Sequence, residues 1–255
     1  MIQNYLAYLK NLQVSEEVYP NDPMNNGPPF YLQTGFSALR VIVTALLARV
    51  GYVGGDQPIR SILDLGCGYG RVTRWMRAAF PDAAITVADF DSKAAEFCAA
   101  TFRATATTEP FGPQRYDLIF LGSVFTHMPP AGIVDIFEKL AAALSHNGIL
   151  VFTTQGRFAA IRSAADPGSR ITRAIEPGVL EATLKRFHAT GFGFVANKKT
   201  PDYGSAWISP QWFFTQFGAN PNLVQIMFQE KGWDNFQDTY AYIRAHIEEI
   251  ARSRL

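Results

Sequence analysis

The ten residues Ile62-Leu63-Asp64-Leu65-Gly66-Cys67-Gly68-Tyr69-Gly70-Arg71 constrain the fold more than any other part of the chain. A short apolar run breaks into a loop with glycine at every second position. Directly after it, Val72, Trp75, Met76, Ala79 and Phe80 recur at i, i+3, i+4, i+7 and i+8, the period of an amphipathic helix. Glycine reaches positive φ without strain and lacks the Cβ that would hold a ligand off the backbone. The first turn of the following helix offers N–H groups without intrahelical partners. Strand, glycine loop and helix in this order predict a site for a nucleoside-bearing ligand at the carboxyl edge of a parallel sheet.

The neighbouring residues narrow the ligand. A dinucleotide fingerprint reads Gly-x-Gly-x-x-Gly, whereas here the glycines alternate and Asp64 stands two residues ahead of them. A second apolar run, Ala84–Ala88, ends at Asp89, 25 residues after Asp64. A carboxylate at the tip of the adjacent strand can accept both ribose hydroxyls of an adenosine. These features resemble motif I and the second-strand acid of the class I S-adenosylmethionine-dependent methyltransferases. The resemblance continues through Tyr116–Pro129, similar to that superfamily's fourth strand and following loop. It extends to Asn147–Thr154, similar to the turn into its fifth strand.

The resemblance implies a doubly wound, seven-stranded, mostly parallel α/β sheet closed by an antiparallel C-terminal hairpin. In one domain of 255 residues, 1–55 form an N-terminal cap and 56–155 the cofactor half. Residues 156–207 form a lid or acceptor insertion, and 208–255 the last strands and a helix. Within this frame, helices are expected over 3–12, Thr34–Val50, 70–80 and Ser92–Thr101, with Ser92 as an N-cap. Strands are expected over 60–65, 84–88 and 116–121, with a third somewhere in 102–107. After Pro129-Pro130 a helix buries Ile133, Ile136, Phe137, Leu140 and Leu144. Alternating strands and helices of this kind imply right-handed crossovers. Further on come a helix through Leu180, Leu184 and Phe187 and one opening at Ser209-Pro210. The final hairpin pairs Leu223–Gln229 with Asp238–Arg244 across Gly232–Asn235, and the tail 245–255 reads as a helix.

Composition sets limits on partners. Hydrophobic residues make up 48% of the chain, ample for a sizeable core, and net charge is +1 with no Lys/Arg block. A nucleic-acid binder would show a basic face, so nucleic acid is disfavoured as the acceptor. Two cysteines, Cys67 and Cys98, give no disulfide framework. Met1-Ile2-Gln3-Asn4-Tyr5 lacks a basic region followed by an apolar run, so no secretory signal is expected, and no uninterrupted apolar stretch approaches the roughly 20 residues of a membrane span. A cytoplasmic enzyme with a small-molecule acceptor is therefore expected; oligomeric state stays open. No Cys/His/Asp cluster has metal-ligand spacing, and no Gly-x-Ser-x-Gly occurs.

The resemblance assigns Gly66, Cys67, Gly68, Tyr69 and Gly70 to the cofactor's methionine end, unless the glycines form only a tight turn. Asp64 either attracts the methionine ammonium or caps the loop amides. Asp89 takes the ribose, with Asp91 as a rival better suited to starting a helix. Phe90 lies against the adenine or packs in the core. Thr105, Thr107, Thr108 and Glu109 are the candidates for adenine recognition, with no aspartate among them. Ser123 and His127 follow the fourth strand, where the superfamily lines its methyl-transfer channel. His127 is a candidate base, since an imidazole near pKa 6.5 can take a hydroxyl proton at neutral pH; otherwise it bonds the loop backbone. His146 and His188 fall at helix ends and His246 in the tail. Tyr203 and Trp207 lie where an acceptor pocket is expected. The segment Gly232–Asp238 resembles the C-terminal signature of a bacterial methyltransferase subgroup, with a turn as its simplest role. The implied reaction is methyl transfer from S-adenosylmethionine, at oxygen first. A nicotinamide-dependent oxidoreductase and a non-catalytic S-adenosylmethionine-binding module are the alternatives.

Overall fold

A computed structural model describes residues 8–9, 11–55, 57–198 and 200–245. The expected helix over 3–12, the tail helix and His246 lie largely or wholly outside these residues. In chain order the elements are α1 (Pro28–Val53), β1 (Ser61–Leu65), α2 (Thr73–Ala79), β2 (Ala84–Ala88), α3 (Ser92–Phe102), β3 (Thr105–Ala106) and β4 (Tyr116–Leu121). There follow a 3₁₀ turn (Phe125–His127), α4 (Pro130–Ala143), β5 (Leu144–Thr154), α5 (Arg157–Ala165), α6 (Pro177–Thr190), β6 (Phe192–Asn197) and β7 (Thr200–Ile208). The chain closes with α7 (Pro210–Phe217), β8 (Leu223–Trp233) and β9 (Gln237–Arg244).

Seven strands form one sheet in the order β3-β2-β1-β4-β5-β9-β8. The first five are parallel to one another, and β9 runs antiparallel to both β5 and β8. β6 and β7 form a separate antiparallel hairpin between β5 and β8 in sequence. Successive side chains alternate between two cores, because strand residues point to opposite faces. On one face, Ile62, Ile149, Val151 and Ile243 meet Ala38, Val41, Ile42 and Ala45 of α1. On the other, Leu63, Ile119, Leu150, Phe152 and Tyr240 meet Ile133, Phe137 and Leu140 of α4 and Phe213 and Phe217 of α7. Both faces of the central strands are thus buried, which is why they read as continuous apolar runs.

α1 begins six residues before the expected start. Pro28 and Pro29 occupy its first turn, where a missing N–H is harmless, rather than breaking it. By length and composition alone α1 could cross a membrane, contrary to the sequence expectation. Its buried residues pack into the sheet core, and the fully buried Arg49 bonds the Gln57 carbonyl. The insertion between β5 and β8 has its own small core, in which Ala159, Ala160, Leu180, Leu184 and Phe187 surround Trp207.

Candidate active site

The carboxyl ends of β1 and β2 build the first wall. Gly66, Gly68 and Gly70 all have positive φ (77°, 50° and 78°), and the turn they make delays α2 to Thr73. The amides of Gly66 and Cys67 both donate to the Ala88 carbonyl, tying the loop to the end of β2. The three glycines are not equivalent. A Cβ on Gly66 would lie 2.4 Å from Val124 Cγ2, and one on Gly70 would lie 2.1 Å from Phe102 Cε2. Over Gly68 there is nothing within 4 Å. Two glycines therefore serve protein packing, and the middle one faces open space at a left-handed φ.

Two carboxylates flank this opening and do different things. Asp64 is 1% exposed, and its Oδ2 accepts from Thr73 Oγ1 at 2.6 Å. Burial pushes its carboxyl up to about 7, against the Thr73 hydrogen bond and with a smaller push from Asp89. It does not cap the loop amides; that task falls to Asp89, whose Oδ2 accepts from Gly68 N at 2.8 Å. The other Asp89 oxygen accepts from Asp91 N at 2.9 Å. An ionised carboxylate has about four acceptor sites, so two hydrogen bonds leave capacity for a ligand. Asp91 has its oxygens engaged as the N-cap of α3, accepting from Lys93 N and Tyr69 Oη. The N-cap is Asp91 and not Ser92, which is the first helical residue.

Phe90 is fully exposed, so the core-packing alternative for it is wrong. Cys67 is buried beside Cys98, and that thiol together with burial pushes the Cys67 thiol well above its ordinary value. Cys98 Sγ donates to the Gly68 carbonyl at 3.2 Å. The N-terminal segment is stapled over the loop: Tyr31 Oη donates to the Tyr69 carbonyl, Tyr19 stacks on Tyr69 at 4.2 Å, and Arg74 bridges the carbonyls of Gly70 and Ser15.

The second wall follows β4. Ser123 has φ +64°, unusual for a residue with a Cβ. Its N–H donates to Thr153 Oγ1 at 2.9 Å, and its carbonyl accepts from Thr126 Oγ1 at 2.5 Å. His127 closes the 3₁₀ turn with its ring stacked on Tyr203 at 4.8 Å. Its Nδ1 bonds the Gly204 carbonyl at 2.8 Å. A carbonyl only accepts, so Nδ1 carries the proton and Nε2 the lone pair of the neutral ring. Burial lowers its pKa below the usual 6.5, with the Gly204 bond opposing, and holds the ring neutral at pH 7. The backbone partner is thus a hairpin 77 residues away and not the local loop.

The aromatic acceptor pocket needs revision. Tyr203 is half exposed beside His127, but Trp207 is completely buried, with Nε1 donating to Ser163 Oγ. His146 lies in β5, not at a helix end, and is exposed like His188. Among the adenine candidates, Thr107 N bonds the Val87 carbonyl and Thr107 Oγ1 accepts from Glu109 N. Sequence reasoning missed Thr153 and Gln237, which join Ser123 in one hydrogen-bonded group. Among the described residues no group of three or more His, Cys, Asp or Glu has the geometry of a metal site.

A sheet of this order, with a glycine loop and acids at the carboxyl ends of its first two strands, defines a nucleoside-binding α/β class. Residues 63–150 match a family model described as a methyltransferase domain. The chain is 30% identical over 102 residues to a malonyl-[acyl-carrier protein] O-methyltransferase of Acetivibrio thermocellus. That match covers 37% of this chain, which spans about a third (35%) of the relative's length. Similar solved structures include an S-adenosylmethionine-dependent methyltransferase from Clostridium acetobutylicum, with TM-score 0.53, 10% identity and coverage of 96% of this chain and 100% of that one. The plantazolicin methyltransferase BpumL, in complex with a monoazolic desmethylPZN analogue and SAH, gives TM-score 0.53 and 13% identity, covering 96% and 100%. At these identities the structures show a common fold.

Proposed function

We propose that the chain transfers the methyl group of S-adenosylmethionine to a small-molecule acceptor, with oxygen as the receiving atom. The observation that carries this reading is the open face of Gly68 between a buried, cation-seeking carboxylate and a second carboxylate with free acceptor sites. A cradle of this kind fits a ligand with an ammonium at one end and vicinal hydroxyls at the other. S-adenosylmethionine supplies a methyl group already activated on a sulfonium, so the protein's part is to bind, align and keep out water.

In this reading the backbone of Gly66, Cys67, Gly68, Tyr69 and Gly70 takes the methionine moiety, and Asp64 attracts its ammonium. An ammonium beside Asp64 favours the ionised carboxylate and offsets the desolvation that now raises its pKa. Asp89 accepts the ribose hydroxyls, and the uncovered ring of Phe90 meets the adenine. Ser123 lines the methyl-transfer channel. His127, held as the Nδ1–H tautomer, takes the acceptor's hydroxyl proton at Nε2. Residues 1–55 act as a cap and 156–207 as a lid within one domain. Net charge of +1 disfavours a nucleic-acid acceptor, and the two free buried thiols suit the cytoplasm.

Calorimetric titration with S-adenosylhomocysteine and with NAD tests the cofactor. Incubation of a small-molecule lysate fraction with enzyme and methyl-labelled cofactor tests transfer. Binding of NAD alone, or binding of S-adenosylhomocysteine with no labelled product, would reject the proposal.

A further inference from the structure

The segment Gly232-Trp233-Asp234-Asn235-Phe236-Gln237-Asp238 forms the turn between β8 and β9 and reaches back to the loop after β4. The Trp233 ring lies under Gly122, where an added Cβ would stand 3.0 Å from Trp233 Cη2. Its Nε1 donates to the Thr34 carbonyl of α1, which fixes the ring. One residue beyond Gly122, Ser123 is held at φ +64° by hydroxyls on both sides. Strained backbone persists only where its surroundings over-determine it, and such positions cluster at functional sites.

The hydrogen bonds around Ser123 all run in one direction. Ser123 N–H donates to Thr153 Oγ1 at 2.9 Å. Thr153 Oγ1 passes its own proton to Gln237 Oε1 at 2.5 Å. The Gln237 amide then donates from Nε2 to Ser123 Oγ at 2.7 Å. Amide oxygens only accept and amide nitrogens only donate, so a glutamine with its Oε1 on Thr153 presents an N–H to Ser123. The chain of donors ends on the Ser123 hydroxyl proton, which meets no acceptor among the described residues. Thr153 is fully buried, whereas Ser123 is only partly so.

We infer that Gln237 is a positioning residue that aims the Ser123 O–H at an oxygen of a bound ligand. This rests on the proposed methyltransferase reading. The matching ligand atom is a lone-pair oxygen of carboxylate, carbonyl or hydroxyl type. Two sources share that chemistry, the amino-acid carboxylate of the cofactor and an oxygen of the methyl acceptor. The hairpin signature thus has a task beyond turning the chain, since it sets the direction of one proton in the transfer channel.

Gln237→Glu tests this at constant shape. A carboxylate still accepts from Thr153 but cannot donate, so the Ser123 hydroxyl must turn toward residue 237 and away from the ligand. Ser123→Ala removes the proton outright and Ser123→Thr restores it. The readouts are dissociation constants for S-adenosylhomocysteine and for methylthioadenosine, which lacks the amino-acid end, and the rate of labelled-methyl incorporation into the lysate fraction. Loss of about tenfold in S-adenosylhomocysteine affinity with methylthioadenosine unchanged assigns the cofactor carboxylate, the size expected for one hydrogen bond. A similar loss in incorporation rate alone assigns the acceptor oxygen. In either case Gln237→Glu adds nothing to Ser123→Ala, and Ser123→Thr recovers the wild-type value. Additive losses, or values within twofold of wild type in every readout, overturn the inference. Failure of the wild-type protein itself to bind S-adenosylhomocysteine rejects the methyltransferase reading instead.

Discussion

Asp64→Asn should make the ligand-free protein more stable at pH 8 and a poorer binder of S-adenosylmethionine. Asp64 is 1% exposed, has Thr73 as its hydrogen-bond partner, and has its carboxyl raised from 3.8 to about 7 by burial. A folded-state pKa above the unfolded one means that the protonated group's contribution is fully present below pH 3.8. That contribution is lost as pH rises through 7. Each pKa unit corresponds to 1.36 kcal/mol, so ionising Asp64 opposes folding by at most about 4 kcal/mol at pH 8. Asparagine keeps an oxygen for Thr73 but adds two donors, and leaving them unpaired costs roughly 1–3 kcal/mol. The net gain at pH 8 is then about 1–3 kcal/mol, or several degrees in Tm at roughly 2–4 °C per kcal/mol for a chain of this size. Below pH 5 the gain vanishes or reverses. Asp238, whose carboxyl burial raises to about 6, titrates in both proteins and cancels in the difference. Thermal denaturation of wild type and variant from pH 4.5 to 8.5 measures this. Curves that stay parallel would show that Asp64 carries no ionisation penalty and would remove the physical reason for a cation beside it. The same substitution should weaken cofactor binding by roughly 1.5–3 kcal/mol, the range for a charge-assisted hydrogen bond.

Asp89→Ala should weaken S-adenosylhomocysteine binding by roughly 1.5–3 kcal/mol in calorimetry, and Asp89→Asn by less. Unchanged affinity would take the ribose role away from Asp89. Gly68→Ala should remain folded at a penalty of about 1–2 kcal/mol for left-handed backbone and lose ligand binding, whereas Gly70→Ala should lose stability first, because its Cβ meets Phe102. The two variants behaving alike in melting and binding would contradict this division. His127→Ala should lower the transfer rate by about 10²–10⁴-fold and abolish the rise in kcat/KM with pH, which in wild type levels off below pH 6.5 because burial lowers the imidazole pKa. A fully active, stable variant would leave positioning as the sole source of rate. Residues 156–207 should gain hydrogen-exchange protection when cofactor and product are bound, and equal protection in both states would make them a fixed insertion.

The parts legible in the sequence are those whose signal is local. β1 and β4 are apolar runs buried on both faces, β2 buries Ile85 and Val87 on one, and α4 shows its stripe through Ile133, Phe137 and Leu140. The glycine loop announces itself by spacing alone. What eluded the sequence depends on distant packing. The β6–β7 hairpin holds Gly193 and Gly204 inside its strands, because a Cβ at either would strike the carbonyl of Thr183 or Val195. β8 runs on through Gly232 for the same reason, against Thr239. Trp207 looks like a pocket residue until α5 and α6 close round it. The Ser123–Thr153–Gln237 group needs the antiparallel register of β5 and β9, which sets Thr153 opposite Thr239 and brings Gln237 across 84 residues of chain.

The most direct test of the account is calorimetric titration of the intact chain with S-adenosylhomocysteine, with NAD as the control, at pH 7.5. One saturable site for S-adenosylhomocysteine is expected, weakened in Asp64→Asn and Asp89→Ala, with no heat from NAD. A saturable NAD site with a silent S-adenosylhomocysteine titration would contradict it.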